Sequence, residues 1–272
     1  MLDQIVYAKP SKLRVASTLL RRPAYWPDLW RRLKINFGRI LLPPPMGLDR
    51  GAAEEWARTK AVVLEEAAER LGLTLGPGLQ TSHPNLVESA LEVERRSAES
   101  IGGGGSADLI FRLSEALRAR VVVETGVAYG WSSLAILASI TPRGGRLFSV
   151  DMPHPLMRNR ELTGAVVPDA LRSSWVLLRE PDHTGLRKVL RQTNGIDFVH
   201  YDSDKSYEGR AASYRRMWPH IRPGGVFMSD DVADNTAFRD FAAELRQEPV
   251  VVHAPGSGLS TSRFVGLLRK PQ

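Results

Sequence analysis

A chain of 272 residues, 43% of them apolar and 25% charged, is long enough for one catalytic α/β unit with an N-terminal appendage; its composition excludes a disordered chain or a long apolar helix across a bilayer. The absence of cysteine excludes a disulfide framework and any thiolate nucleophile or thiolate metal site, and together with the lack of a signal-peptide pattern it gives a cytoplasmic expectation. The net charge of +7 is concentrated at the start, where nine basic residues from Lys9 to Arg39 face only Asp3 and Asp28 and account for all of it.

That basic stretch, interleaved with Tyr25, Trp26, Trp30 and Phe37, reads as an arm over residues 1–45 that is solvated or packs its aromatics on its own domain or on a second copy in a homo-oligomer. Peripheral contact with an anionic membrane surface is the specific alternative, and nucleic acid is disfavoured. Pro43, Pro44 and Pro45 close the arm, because no helix runs through three prolines. Residues 46–105 read as a helical cap, with one helix over Arg50 to Leu71 and a second over Leu86 to Ile101, which ends in Gly102 to Gly105.

From residue 106 to 272 the pattern is that of a catalytic domain. Short β-branched runs at Val121 to Glu124, Leu147 to Val150, Trp175 to Leu178, Ile196 to Tyr201 and Val226 to Ser229 alternate with helical stretches at Ser132 to Ile140, Thr184 to Gln192 and Tyr207 to Ile221. Alternation of this kind predicts a parallel sheet with helices on both faces. The last two runs, Val250 to His253 and Phe264 to Leu268, are joined through Pro255-Gly256-Ser257-Gly258, too short for a crossover helix, and predict an antiparallel pair. The expected fold class is therefore α/β: a Rossmann-like, mostly parallel seven-stranded sheet with a C-terminal antiparallel hairpin and an N-terminal helical extension.

The sharpest motif is Val-Val-Val-Glu124-Thr-Gly126-Val-Ala-Tyr129-Gly130-Trp-Ser132, a strand that turns through glycines into a helix. Ligands of open α/β sheets bind beyond such strand ends, where glycine lets the backbone come close. About twenty residues on, the second strand ends in Asp151, a carboxylate able to accept both hydroxyls of an adenosine ribose. A dinucleotide fingerprint needs G-x-G-x-x-G to admit a pyrophosphate, whereas the spacing here is G-x-x-x-G with Glu124 upstream, which suits a cationic ligand. S-adenosylmethionine is favoured over NAD.

Residues from about Ala107 to Leu268 resemble the class I methyltransferases, specifically the metal-dependent O-methyltransferases typified by the catechol and caffeoyl-CoA enzymes, with the bacterial antibiotic-sugar and cephalosporin-pathway enzymes as the nearest branch. The family pattern E-x-G-x-x-x-G-x-S is matched by Glu124, Gly126, Gly130 and Ser132, and its acidic residue after the second strand by Asp151. The resemblance implies S-adenosyl-L-methionine as cofactor and a small hydroxylated acceptor such as a sugar, a glycolipid headgroup or a phenol.

Two further acidic groups sit at strand ends: Asp202, Asp204 and Lys205 after Ile196 to Tyr201, and Asp230-Asp231 after Val226 to Ser229. Clustered carboxylates repel unless a cation joins them, and a Mg²⁺-type oxygen site is the simplest explanation. The resemblance implies Asp202, Asp230 and Asp231 as metal ligands and either Lys205 or Asp204 as the base, with Lys205 preferred because a bound dication would lower its pKa. Helix capping is the plain alternative for these acids. Asp182 and His183 are candidates for the adenine pocket, His154 and Tyr207 are secondary candidates, and His200, inside a strand, reads as structural.

Two other function classes remain at this point. An NAD-dependent oxidoreductase has Tyr201 and Lys205 at Tyr-x-x-x-Lys spacing, but these straddle a strand end instead of sharing one helix face. A non-catalytic membrane- or nucleic-acid-binding protein with a vestigial pocket is opposed by the presence of both acidic groups.

Overall fold

The computed structural model describes residues 23, 26, 30, 49–97, 101, 103–152, 162–254 and 263–272. The basic arm as a segment, the loop carrying His154 and the Pro255–Gly258 turn lie outside them. In chain order, α1 (Arg50–Lys60), β1 (Ala61–Val62), α2 (Leu64–Arg70), α3 (Leu79–Ser82) and α4 (Pro84–Arg95) precede α5 (Ala107–Ala116). Then come β2 (Val121–Thr125), α6 (Trp131–Ile140), β3 (Arg146–Val150), α7 (Asp169–Arg172), β4 (Trp175–Leu178), α8 (Asp182–Leu190), β5 (Ile196–Tyr201), α9 (Tyr207–Met217), β6 (Ile221–Ser229), α10 (Ala237–Glu244), β7 (Val250–Ala254) and β8 (Arg263–Arg269).

The strands form one sheet in the order β1-β7-β8-β6-β5-β2-β3-β4. Only β8 runs against its neighbours, pairing antiparallel with both β6 and β7, as expected of the C-terminal pair. Successive strand residues alternate between two cores, as a period of two requires. Val122, Phe198, Val226 and Val252 join the cluster with α5 and α6; Val123, Val199, Phe227 and Val251 join the one with α8, α9 and α10. All eight are buried, each contributing roughly 1.5–3 kcal/mol of transfer free energy. Helix α6 is buried on nearly every side, which its run of Leu, Ala and Ile allows.

The N-terminal segment differs from the sequence expectation. Instead of one helix over Arg50 to Leu71, α1 stops at Lys60 and Ala61–Val62 pair in parallel with Val251 and Val252, adding an eighth strand at the sheet edge. The cause is the β-branched pair Val62-Val63, which disfavours helix, together with the ladder that β7 offers. The second expected helix starts earlier, at Pro84 in its first turn, and ends at Arg95. Leu71, Leu79, Val87 and Ala90 of this segment pack into the same core as Leu109 and Leu113 of α5.

Sheet register then sets the site. Glu124 lies opposite His200, and Thr125 opposite Tyr201, which in turn lies opposite Ser229. The chain leaves β2 toward β3 on one side and returns at β5 on the other, so the residues just past these strands meet at a topological switch point. Backbone bonds extend the ladder one step further: Asp202 N donates to Thr125 O at 2.9 Å, Asp230 N to Tyr201 O at 3.0 Å and Asp151 N to Leu178 O at 3.0 Å. Among the described residues no helix is long and apolar enough to cross a membrane.

Candidate active site

The turn after β2 is built on glycine. Gly126 has φ +80°, and a Cβ there would lie 2.3 Å from the Asp202 carbonyl oxygen; Gly130 has φ +95°, and a Cβ there would lie 2.9 Å from the Cα of Gly164. Either side chain would force the turn away from its neighbours. Asp151 caps this turn from β3, its Oδ1 accepting from Val127 N at 3.2 Å. Burial raises the Asp151 carboxyl to about 6; the Val127 N–H opposes that rise, and Glu124 adds to it. Asp182, the first residue of α8, accepts a hydrogen bond from Ser203, and burial likewise lifts it to about 6. Asp204 and Asp151 both contribute to that rise, so these acids share one electrostatic neighbourhood.

Other residues expected at the cofactor are placed differently. Glu124 is fully buried beneath the turn, where its Oε2 accepts from Ser133 Oγ at 2.5 Å and Ser149 Oγ at 2.7 Å, and Ser149 accepts from Trp175 Nε1 at 2.8 Å. Its charge faces inward, so it braces the turn. Tyr129 is also buried, its hydroxyl donating to Ser97 Oγ at 2.8 Å, and Trp131 Nε1 donates to Glu94 Oε2 at 2.8 Å, so the end of α4 rests on the turn. Ser132 is half-buried in the first turn of α6. His183 is half-buried, its carbonyl accepting from Arg216 Nη1 at 3.2 Å.

Beyond β5 and β6 the acids gather round one ammonium. Lys205 Nζ donates to Asp202 Oδ1 and, at 2.8 Å, to Asp231 Oδ2. Burial pulls the lysine toward neutrality, but Asp202, Asp231 and Asp230 together outweigh it and hold the ammonium protonated well above its ordinary range. Asp202 is raised by burial and by Asp230, with Lys205 opposing. Asp230 points inward: its Oδ2 is 3.8 Å from His200 Nε2, and Ser106 Oγ lies 3.4 Å from both its oxygens. His200, expected to be structural, is buried between two acids, with Nδ1 3.5 Å from Glu124 Oε1. Burial lowers its pKa, yet Asp230 and Glu124 outweigh that and push it up to about 10.

Asp204 lies just ahead of α9, whose cap is Ser206. The Asp204 Oδ1 accepts from Ser206 N at 2.9 Å and Ser206 Oγ at 2.7 Å at the start of α9. Tyr207, a secondary candidate, donates to Asp240 Oδ2 at 3.1 Å on α10. Sequence reasoning missed Asn235, which donates to the Lys205 carbonyl at 2.9 Å, and Arg210, which holds the backbone of Asp230-Asp231. Neither lies in a strand-end motif, so no local signal marked them.

The three carboxylates expected as metal ligands are drawn together, but about a lysine. Among the described residues no three His, Cys, Asp or Glu side chains are arranged to share an ion. The oxygen donors are of the type a hard cation takes, but Lys205 Nζ is bonded to two of the carboxylates and Asp230 is turned toward His200.

The comparisons fall on this region. Residues 123–232, from within β2 to just past the acidic pair, match the family model of a methyltransferase domain. Among solved structures, the chain is similar to an O-methyltransferase from Bacillus cereus in complex with SAH, with TM-score 0.53, 18% identity, and coverage of 79% of this chain and 100% of that one. A methyltransferase from Geobacter sulfurreducens gives TM-score 0.50, 14% identity, and coverage of 73% and 100%. No protein of curated function matches. At these identities the likeness is one of fold: the chain has the Rossmann-like α/β fold of these structures, and the methyltransferase-domain model matches residues 123–232 of it.

Proposed function

We propose that this protein is an S-adenosylmethionine-dependent O-methyltransferase acting on a small hydroxylated molecule. The observation that carries the reading is the adjacency of two differently equipped strand ends: the glycine turn with Asp151 beside it, and, one strand away, Lys205 held between Asp202 and Asp231. The cofactor lies over the turn with its ribose hydroxyls donating to Asp151, and the acids of the neighbourhood favour its sulfonium charge. The acceptor oxygen lies toward Lys205. In the transfer the oxygen attacks the methyl carbon in line, the carbon–sulfur bond breaks to leave a neutral thioether, and the hydroxyl proton leaves to a base.

Lys205 can take that proton on Nζ only as the neutral amine, so its ammonium must first leave the carboxylates and lose a proton to solvent; while paired with Asp202 and Asp231 it only donates. Asp204, bound to Ser206, is assigned to the helix start. A divalent cation of the Mg²⁺ type would be held by Asp202, Asp230 and Asp231 only with Lys205 displaced and Asp230 turned from His200, and it would then lower the acceptor hydroxyl's pKa. The Bacillus cereus protein's description as an O-methyltransferase in complex with SAH supports both the cofactor and the oxygen acceptor.

Calorimetric titration with S-adenosylmethionine and with NAD, each with magnesium and with a chelator, tests the reading. Binding of S-adenosylmethionine alone is the expected result. Binding of NAD in its place would return the oxidoreductase reading.

A further inference from the structure

The acidic pair is held from behind by a cation that the transfer chemistry does not use. Arg210 of α9 is fully buried, its Nη1 donates to Asp231 O at 2.9 Å, its Nη2 donates to Asp230 O at 3.2 Å, and Nη2 lies 3.7 Å from Asp234 Oδ2. Every one of these contacts belongs to the five residues 230–234. A guanidinium taken wholly out of water is expensive, and an apolar side chain would fill the same volume without that penalty. What an apolar side chain cannot do is grip two consecutive carbonyls at once, which is the particular capacity of a planar fork.

Those carbonyls flank an unusual residue. Asp231 sits at φ +54°, a left-handed conformation that a residue with a Cβ rarely adopts. β6 ends at Ser229, and with the left-handed step at Asp231 the Asp231 carboxylate meets Lys205 at 2.8 Å, while Asp230 is turned toward His200.

We propose that Arg210 is a positioning residue for the methyl transfer: by holding the Asp230 and Asp231 carbonyls it fixes the left-handed turn that presents Asp231 to Lys205. The proposal rests on the function given above only for its catalytic consequence; the holding of the turn stands on the geometry alone.

The test joins hydrogen exchange to kinetics in the full-length chain. Arg210→Met removes the fork, and Arg210→Lys keeps a charge but not the two-carbonyl grip, serving also where the methionine variant folds poorly. Both are expected to speed amide exchange by tenfold or more, on the order of the loss of one backbone constraint, in peptides covering 229–236, and to leave 121–132 as in the parent protein. Affinity for S-adenosylhomocysteine stays within about threefold, and methyl transfer to catechol as probe acceptor falls about ten- to a hundredfold, the usual effect of losing a residue that orients a site ligand. In combination with Asp231→Asn the kinetic losses do not add, since both act through one carboxylate. Unchanged exchange at 229–236, exchange raised evenly along the chain, or additive losses would each overturn the proposal. A parent protein that binds S-adenosylhomocysteine but does not methylate catechol leaves the exchange result to decide whether Arg210 holds the turn; one that does not bind it fails the function proposal separately.

Discussion

The two halves of the site are made by different means. The cofactor half is a matter of backbone: Gly126 and Gly130 adopt left-handed conformations and lie against the backbone of Asp202 and Gly164, where a Cβ has no room. The acceptor half is a matter of charge. Lys205, Asp202, Asp230, Asp231, His200 and Arg210 come from β5, α9, β6 and their connections, and each is held by an opposite charge or a carbonyl from another segment. Substitutions on the two sides are therefore expected to fail in different ways.

Removing the ammonium should have the largest effect. Lys205→Met is expected to lower methyl transfer by roughly 10²–10⁴-fold, the usual contribution of a positioned acid–base group, while calorimetry shows S-adenosylmethionine affinity nearly unchanged. A matching loss of affinity would merge the two halves and break the comparison. Asp151→Ala should do the reverse. Losing a charged acceptor of two hydroxyls corresponds to about 1.5–3 kcal/mol, or a tenfold to hundredfold weaker S-adenosylmethionine, with transfer at saturation little altered.

Acidity sharpens the same contrast. Asp151 has a folded pKa near 6 against an ordinary 3.8, so the free protein holds this proton more tightly than the unfolded chain does. That contribution to stability is complete below the ordinary value and is lost as pH rises through about 6. Ribose hydroxyls need the ionised carboxylate. Cofactor affinity should therefore fall by up to about tenfold per unit below pH 6, measured by calorimetry from pH 5 to 8, and this slope should be shallower in Asp151→Asn, where Asp182 is left to titrate. The smallest effect on binding is expected for Glu124→Gln, since the carboxylate points into the protein; S-adenosylmethionine affinity stays within about threefold while urea denaturation shows about 1–3 kcal/mol less stability.

Legibility in the sequence followed the same division. The alternation of strands and helices, the antiparallel end of the sheet and the glycine turn are all local patterns, and they stand where periodicity and turn chemistry put them. The eighth strand was not legible, because Ala61–Val62 is two residues long and exists through the open edge of β7, a partner almost two hundred positions away. Asp202, Asp230 and Asp231 could be picked out at strand ends, but a lysine at their centre is a matter of side-chain reach. His200 was read as structural, but its place between Glu124 and Asp230 could not be seen in the sequence, because those carboxylates come from other segments. Arg210 sits on a helix among other polar residues and carries no local mark at all.

The contact of α4 with the cofactor turn ties two distant stretches of chain into one thermodynamic unit. Glu94 and Ser97 receive hydrogen bonds from Trp131 and Tyr129, so whatever stiffens the turn must also stiffen the segment that ends there. By reciprocity, a ligand that ordered this turn would also order the end of α4, and a contact that held α4 would favour the ordered turn.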